Sequence, residues 1–276
     1  MPNFRRAQPF WRRREPTAGH DVAELLPASL NKDERFETLE DAQGESARSE
    51  AVLAAYRPRN QYSVYLRECR EGYYACEQTY CPVCARTFRR YFIGESLRIC
   101  DGFNGSIKFS TVLLGAAPKG KLKSLEIARH DAGLRKRLVR AGLRDVVVVG
   151  GLEMIYRARQ GIWVLHINLA FLGGEAETMA AFERTFQNSD LYRPVVTVDL
   201  QDRPQQLSYL LKFTTYHRPF AQIGPAKSPA KPLNPDLHYE LVCWMAQHEF
   251  ADHMFLFNAR RYGPTITLSS KAVGKA

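Results

Sequence analysis

Cys69, Cys76, Cys81 and Cys84 crowd into sixteen residues, and that crowding constrains the chain more than any other feature of its sequence. Six residues separate Cys69 from Cys76, and four separate Cys76 from the knuckle Cys81-Pro82-Val83-Cys84. A C-x-x-C pair presents two thiolates from one tight turn, a spacing suited to tetrahedral Zn²⁺; four such ligands close the shell and make the site structural. From Tyr62 to Arg90 the chain is rich in Cys, Arg and Tyr and offers no long apolar run. The expectation is therefore a small zinc-binding module over 58–101, held by its metal rather than by a core. Plain reduced cysteines are the alternative, and they have little core here to sit in. Cys100 and Cys243 stand alone and read as ordinary buried residues.

No apolar run is long enough to cross a bilayer. The arginine-rich stretch Met1 to Arg14 lacks the apolar centre of a secretory signal, so a cytoplasmic setting with reduced thiols is expected. The 276 residues carry 39 Lys and Arg against 29 Asp and Glu, a formal net charge of +10. Such an excess favours a polyanionic partner, because basic surface attracts phosphate and releases its counterions. The segment Lys121 to Arg144 holds eight of these basic residues. Lys121, Lys123, Arg135 and Arg137 are its candidate phosphate contacts.

Residues 1–57 read as a poorly ordered tail, with a basic head that either touches DNA or is simply solvated. After Gly105 the order becomes clear. Strands are expected at Ser106–Leu114, Asp145–Tyr156, Ile162–Leu172 and Pro194–Leu200; helices at Lys121–Ala141, Glu175–Gln187 and Pro204–Tyr216. A Pro- and Lys-rich linker then leads from Pro219 to a last helix, from Pro235 to about Asn258. The order β-α-β-β-α-β-α, with a hairpin between the second and third strands, argues against a doubly wound parallel sheet. It predicts an α+β fold over 102–218: a split β-α-β arrangement, mainly antiparallel, with helices on one face. Residues 219–276 complete the chain as linker and C-terminal helix.

Within Trp163-Val-Leu-His166-Ile-Asn168-Leu-Ala170, alternation puts His166 and Asn168 on one face and Leu165, Ile167 and Leu169 on the other. Two polar side chains leaving an apolar strand together can hold a divalent metal. An amide oxygen is the weaker ligand of the two, and a satisfied core histidine is the common alternative. Glu153, on the preceding strand, could lean to the same face and complete the site, or pair with an arginine. Tyr209 and Lys212 fall one turn apart if 204–216 is helical. A phenol can attack a phosphodiester whose phosphate a metal polarises; a half-buried Tyr beside a snorkelling Lys explains the same pattern without chemistry.

Taken in order, these signals resemble the replication initiators of rolling-circle plasmids, in the HUH endonuclease superfamily. The residues that carry the resemblance lie between 62 and 216: Cys76-x4-Cys81-Pro-Val-Cys84-Ala-Arg86 with Arg89 and Arg90; Phe109-Ser-Thr-Val-Leu113; Gly151-Leu-Glu153; Trp163-Val-Leu-His166-Ile-Asn168; and Tyr209-Leu-Leu-Lys212-Phe213. The resemblance implies a DNA-nicking strand transferase, acting on a single-stranded or hairpin origin and working beside host replication proteins. In it Tyr209 is the nucleophile, Lys212 offsets charge on its oxygen, and Mg²⁺ or Mn²⁺ binds at His166, with Asn168 or Glu153. A transposase of the same superfamily is the sister reading. Two positions depart from the pattern. Asn168 replaces the second histidine, and Gln205 stands where some members carry a water-activating glutamate. Both favour a rival reading, a non-cutting initiator-like DNA-binding protein. A zinc-ribbon module for protein partners is a third class, and it leaves the basic segment without a purpose.

Overall fold

The computed structural model describes residues 38–57, 60–213, 215–217, 231–263 and 265–269. Three helices come first: α1 (Leu39–Tyr56), α2 (Gln61–Arg70) and α3 (Pro82–Asp101). There follow β1 (Ile107–Pro118), α4 (Ile127–Arg140), β2 (Val147–Arg157), β3 (Ile162–Leu172), α5 (Ala176–Arg184), β4 (Val195–Asp199) and a short α6 (Arg203–Leu207). The chain ends with the two-residue strands β5 (Tyr216–His217) and β6 (Lys231–Pro232), then α7 (Pro235–Met245), β7 (Met254–Phe257), β8 (Ala259–Tyr262) and β9 (Thr265–Leu268). No described helix is long and apolar enough to cross a membrane. The Met1–Arg14 head and most of the linker lie outside the described residues.

The fold is α+β, built on one five-stranded sheet in the order β4-β1-β3-β2-β7, with every neighbouring pair antiparallel. The expected β-α-β-β-α-β order is present, and β3 lies between β1 and β2, as a split β-α-β arrangement requires. Leu169, Phe171 and their cross-strand neighbours form one face. Phe171 meets Phe182 of α5, and the Arg135 guanidinium of α4 lies 4.8 Å from the ring centroid of Phe255, so both helices cover this side. The other face carries Asn168 in line with Thr111 and Gly151, and His166 in line with Leu113 and Glu153.

Four expectations need correction. Residues 39–56 form a helix rather than a loose tail. Thr38 and Asp41 make a reciprocal capping box at its start, and its inner face is Ala42, Ser46, Ser49 and Leu53. Small residues at helical spacing let α1 pack closely on α2, where the Ser46 hydroxyl donates to the Leu66 carbonyl. Apolar periodicity is a poor signal for a face of that kind. The cysteine segment is also not poor in core: it runs straight into α3, whose Phe88, Phe92, Ile93 and Leu97 join one apolar cluster continuous with the sheet. The last helix stops at Met245, and the run Met254–Phe257 pairs with β2 as a strand. Finally, helices are not confined to one face. Segment 208–213 lies on the second face near Gly151, and α3 binds it from behind.

Two histidines are locked inside this architecture. His238 of α7 is fully buried, and neither ring nitrogen has a hydrogen-bond partner among the described residues. His253 offers Nδ1 to the Leu152 carbonyl at 3.2 Å. Desolvation lowers both, each to about 4. As pH falls below the ordinary histidine value the unfolded chain takes up protons that the fold refuses, so stability declines from about pH 6.5 towards pH 4. His238→Leu removes a buried polar group with no partner among the described residues and should cost little at neutral pH. Its loss of unfolding free energy in urea between about pH 7.5 and about pH 5 should be smaller than wild type's by about 2 kcal/mol. An equal loss in both proteins contradicts the assignment.

Candidate metal centre and the tyrosine segment

The four cysteines come together from three local structures. Cys69 lies in the last turn of α2, Cys76 in the loop that follows, Cys81 caps α3 and Cys84 sits in its first turn. All four are buried, and their sulfurs lie within 4.8 Å of one another. Cys69 and Cys84 are 3.5 Å apart, Cys69 and Cys81 3.7 Å, and Cys76 and Cys84 3.8 Å. Four thiolates at about 2.3 Å from one zinc stand about 3.8 Å apart, so the cluster has the dimensions of a structural zinc site. Its electrostatics agree. The Cys69 thiol is held far below its ordinary value, first by hydrogen bonding from Cys76 and then from Cys81 and Cys84. Cys76 is pushed far up, chiefly by its contact with Cys69. Cys81 is likewise pushed up, first by its contact with Cys69, so the four thiols do not all ionise without a cation among them. The two isolated cysteines lie apart: Cys100 is buried and Cys243 half-buried.

The polar face of the sheet holds a second constellation. Glu153 and His166 face each other across the β2–β3 hairpin with Oε2 and Nε2 3.1 Å apart, both buried. Asn168 is fully engaged. Its amide oxygen accepts from the Thr111 hydroxyl at 2.7 Å. Its amide nitrogen donates to the main-chain oxygen of Tyr209 at 2.7 Å and faces Glu153 Oε1 at 3.4 Å. The nitrogen of Asn168, not its oxygen, is thus turned towards the carboxylate.

Residues 208–213 adopt a form that the sequence reading did not anticipate. Asp202 caps α6, which ends after five residues, and single turns at Ser208, Tyr209 and Leu210 carry the chain out of the helix. Leu210 and Leu211 then lie on Gly151, where any Cβ would overlap the Leu210 carbonyl. Phe213 packs on Phe250 and His253. Although Tyr209 and Lys212 are not on one helix, they still meet: the Lys212 ammonium lies 3.9 Å from the centroid of the Tyr209 ring. Gln205, the other departure from the pattern, gives its backbone N–H to the capping Asp202.

The structure therefore brings together Glu153, His166, Asn168 and the backbone of Tyr209, with Lys212 on the tyrosine ring. It does not bring the candidate phosphate contacts to the same place. Arg135 and Arg137 lie on α4, across the sheet from His166. Arg135 pairs with Asp131, and Arg137 donates to the Thr185 carbonyl and covers the Phe186 ring. Lys121 and Lys123 are exposed just before that helix. Reading from the sequence missed Arg89. It appears only among the arginines that follow the knuckle, yet its buried guanidinium binds the carbonyls of the tyrosine segment. A search of protein families, curated proteins and solved structures returns no match to this chain.

Purified protein should contain about one zinc per chain, and loading the apoprotein should release protons as the thiols ionise. A fully folded, metal-free protein contradicts the assignment. Gly151→Ala should cost about 1–3 kcal/mol by forcing the Leu210 carbonyl off the sheet. Urea unfolding measures it, and a neutral result means that the segment yields freely.

Proposed function

We propose that this protein nicks and joins single-stranded DNA, with Tyr209 as nucleophile, in the manner of a rolling-circle replication initiator. The observation that carries the reading is the bond from Asn168 to the Tyr209 carbonyl. It joins the tyrosine segment to the face that holds His166 and Glu153, so the backbone of the proposed nucleophile lies beside a potential metal pair. The pair fits a hard divalent ion. Two ligands at right angles on Mg²⁺ or Mn²⁺ stand about 3 Å apart, and such ions are often held by one or two protein groups, with water and substrate phosphate filling the rest. When bound, the ion would supply charge to polarise the scissile phosphate.

Tyr209 then acts on a phosphate delivered over the sheet edge. There Val196, in line with Thr111 and therefore on the same face, is 40% exposed. The tyrosine oxygen bonds to phosphorus and the bond to the 3′ oxygen breaks. The leaving oxygen gains a proton while the phenol loses one, and a 5′-phosphotyrosine remains. Lys212 on the ring favours the phenolate as the proton leaves. Gln205 is neutral and a poor base for activating water, so the adduct is expected to resolve by rejoining DNA rather than by hydrolysis.

One observation favours the non-cutting rival. The Asn168 oxygen is committed to Thr111, which leaves two protein ligands where the resemblance implies more. The two readings separate on a denaturing gel. The protein is incubated with Mn²⁺ and single strands tiled across the DNA flanking its own coding region. A covalent adduct should form with wild type and vanish in Tyr209→Phe, which keeps the ring under Lys212 and leaves DNA binding within about twofold. Binding without any wild-type adduct favours the rival. An adduct that survives in the phenylalanine variant places the nucleophile elsewhere.

A further inference from the structure

We infer that Arg89 is the positioning residue of the tyrosine segment, and that through it the helix that begins in the cysteine cluster sets where Tyr209 stands. The inference rests on the proposed reaction only for its consequence in catalysis; the positioning itself is a matter of geometry. Past the end of a helix, main-chain carbonyls have no ladder of donors and need partners from elsewhere when buried. Here the helix is α6, and the segment after it lies against the sheet, away from water. Three carbonyls in four residues are taken by side chains from elsewhere. Arg89 Nε donates to Leu211 at 2.7 Å, Arg89 Nη2 reaches Ser208 at 3.4 Å, and Asn168 holds the one between them, that of Tyr209. The segment is therefore gripped from both sides, by β3 below and by α3 behind.

Only an arginine suits the upper grip. Its planar fork presents several donors at fixed angles, so one side chain spans carbonyls three residues apart, whereas an ammonium is a single point. A buried charge also needs such partners, and at 6% exposed Arg89 finds them in main-chain oxygens. Its own location is set by the start of α3. Cys81 caps that helix, Cys84 lies in its first turn, and Arg89 follows five residues after Cys84. Phe88, next to it, stacks on Phe250, which in turn contacts Phe213 at the far end of the tyrosine segment. The helix thus engages both ends of 208–213, once through hydrogen bonds and once through an aromatic relay.

Amide hydrogen exchange on zinc-loaded, full-length protein tests this, with Arg89→Lys and Arg89→Met beside wild type. In Arg89→Lys, exchange at 208–213 should rise by about tenfold or more, while β2, β3 and the zinc content stay as in wild type. Arg89→Met should give a larger rise; if it fails to fold, the lysine variant decides. Unchanged exchange at 208–213 overturns the inference. So does a rise spread evenly over α3 and the sheet, which marks a general core role. Where wild type forms the tyrosine adduct, Arg89→Lys should slow its formation by about 10- to 100-fold with single-strand affinity held within about twofold. An unchanged rate overturns the catalytic consequence. If wild type forms no adduct, the nicking reading falls, and the exchange data still decide whether Arg89 positions the segment.

Discussion

The carbonyl oxygens of Ser208, Tyr209 and Leu211 must find donors, and much of the arrangement follows from how they do. A helix continued through this stretch would satisfy its own backbone. Instead α6 ends at Leu207, and the next residues lie on the sheet under α3. Leaving a buried main-chain group unpaired costs about 1–3 kcal/mol, so three of them amount to a substantial part of a domain's net stability. Asn168 and Arg89 remove that penalty. Asn168 can do so because Thr111 fixes its amide the right way round. Gly151 lets the segment close to backbone contact. The amide that makes Asn168 a weak metal ligand is what makes it a donor to the tyrosine backbone.

The cysteine cluster imposes the second constraint. Four buried sulfurs cannot all ionise unaided, and a divalent cation at their centre would resolve that conflict while tying α2, the following loop and α3 at one point. The start of α3 is then fixed, and the helix carries Phe88 and Arg89 to the tyrosine segment. Farther along, Glu95 accepts from the Ile266 backbone and Arg98 donates to the Ile266 carbonyl, which docks the β8–β9 hairpin on the same helix. The cysteine cluster thus stands at one end of a helix that holds the tyrosine segment near its start and the β8–β9 hairpin near its end.

Much of this was legible in the residues, and the exceptions have physical causes. Alternation in Ile162–Leu172 revealed the strand and put His166 and Asn168 on one face, because a sheet buried on both sides still separates its polar positions by parity. Cysteine spacing revealed the cluster for a similar reason: tetrahedral ligation is a local geometry. Helix α1 was hidden because its inner face is Ala and Ser. Segment 208–213 was misread as helix because Leu210, Leu211 and Phe213 are apolar at plausible helical spacing, and the sheet and the aromatic cluster that claim them are distant in sequence. The basic segment showed charge but not direction, and α4 proves to lie across the sheet from His166. The partners of Arg89 are main-chain oxygens more than a hundred positions away, a contact that leaves no pattern in residue types.

The account's central claim is that Glu153 and His166 form a divalent-metal site beside the tyrosine segment. Diffraction from crystals soaked in Mn²⁺, with data collected at the manganese absorption edge, tests it most directly. The account predicts one anomalous peak at about 2.1 Å from both Glu153 Oε2 and His166 Nε2, with the Asn168 amide still turned to the Tyr209 carbonyl and water completing the shell. The absence of a peak between these two residues at millimolar Mn²⁺, or a peak bound by other side chains, contradicts it.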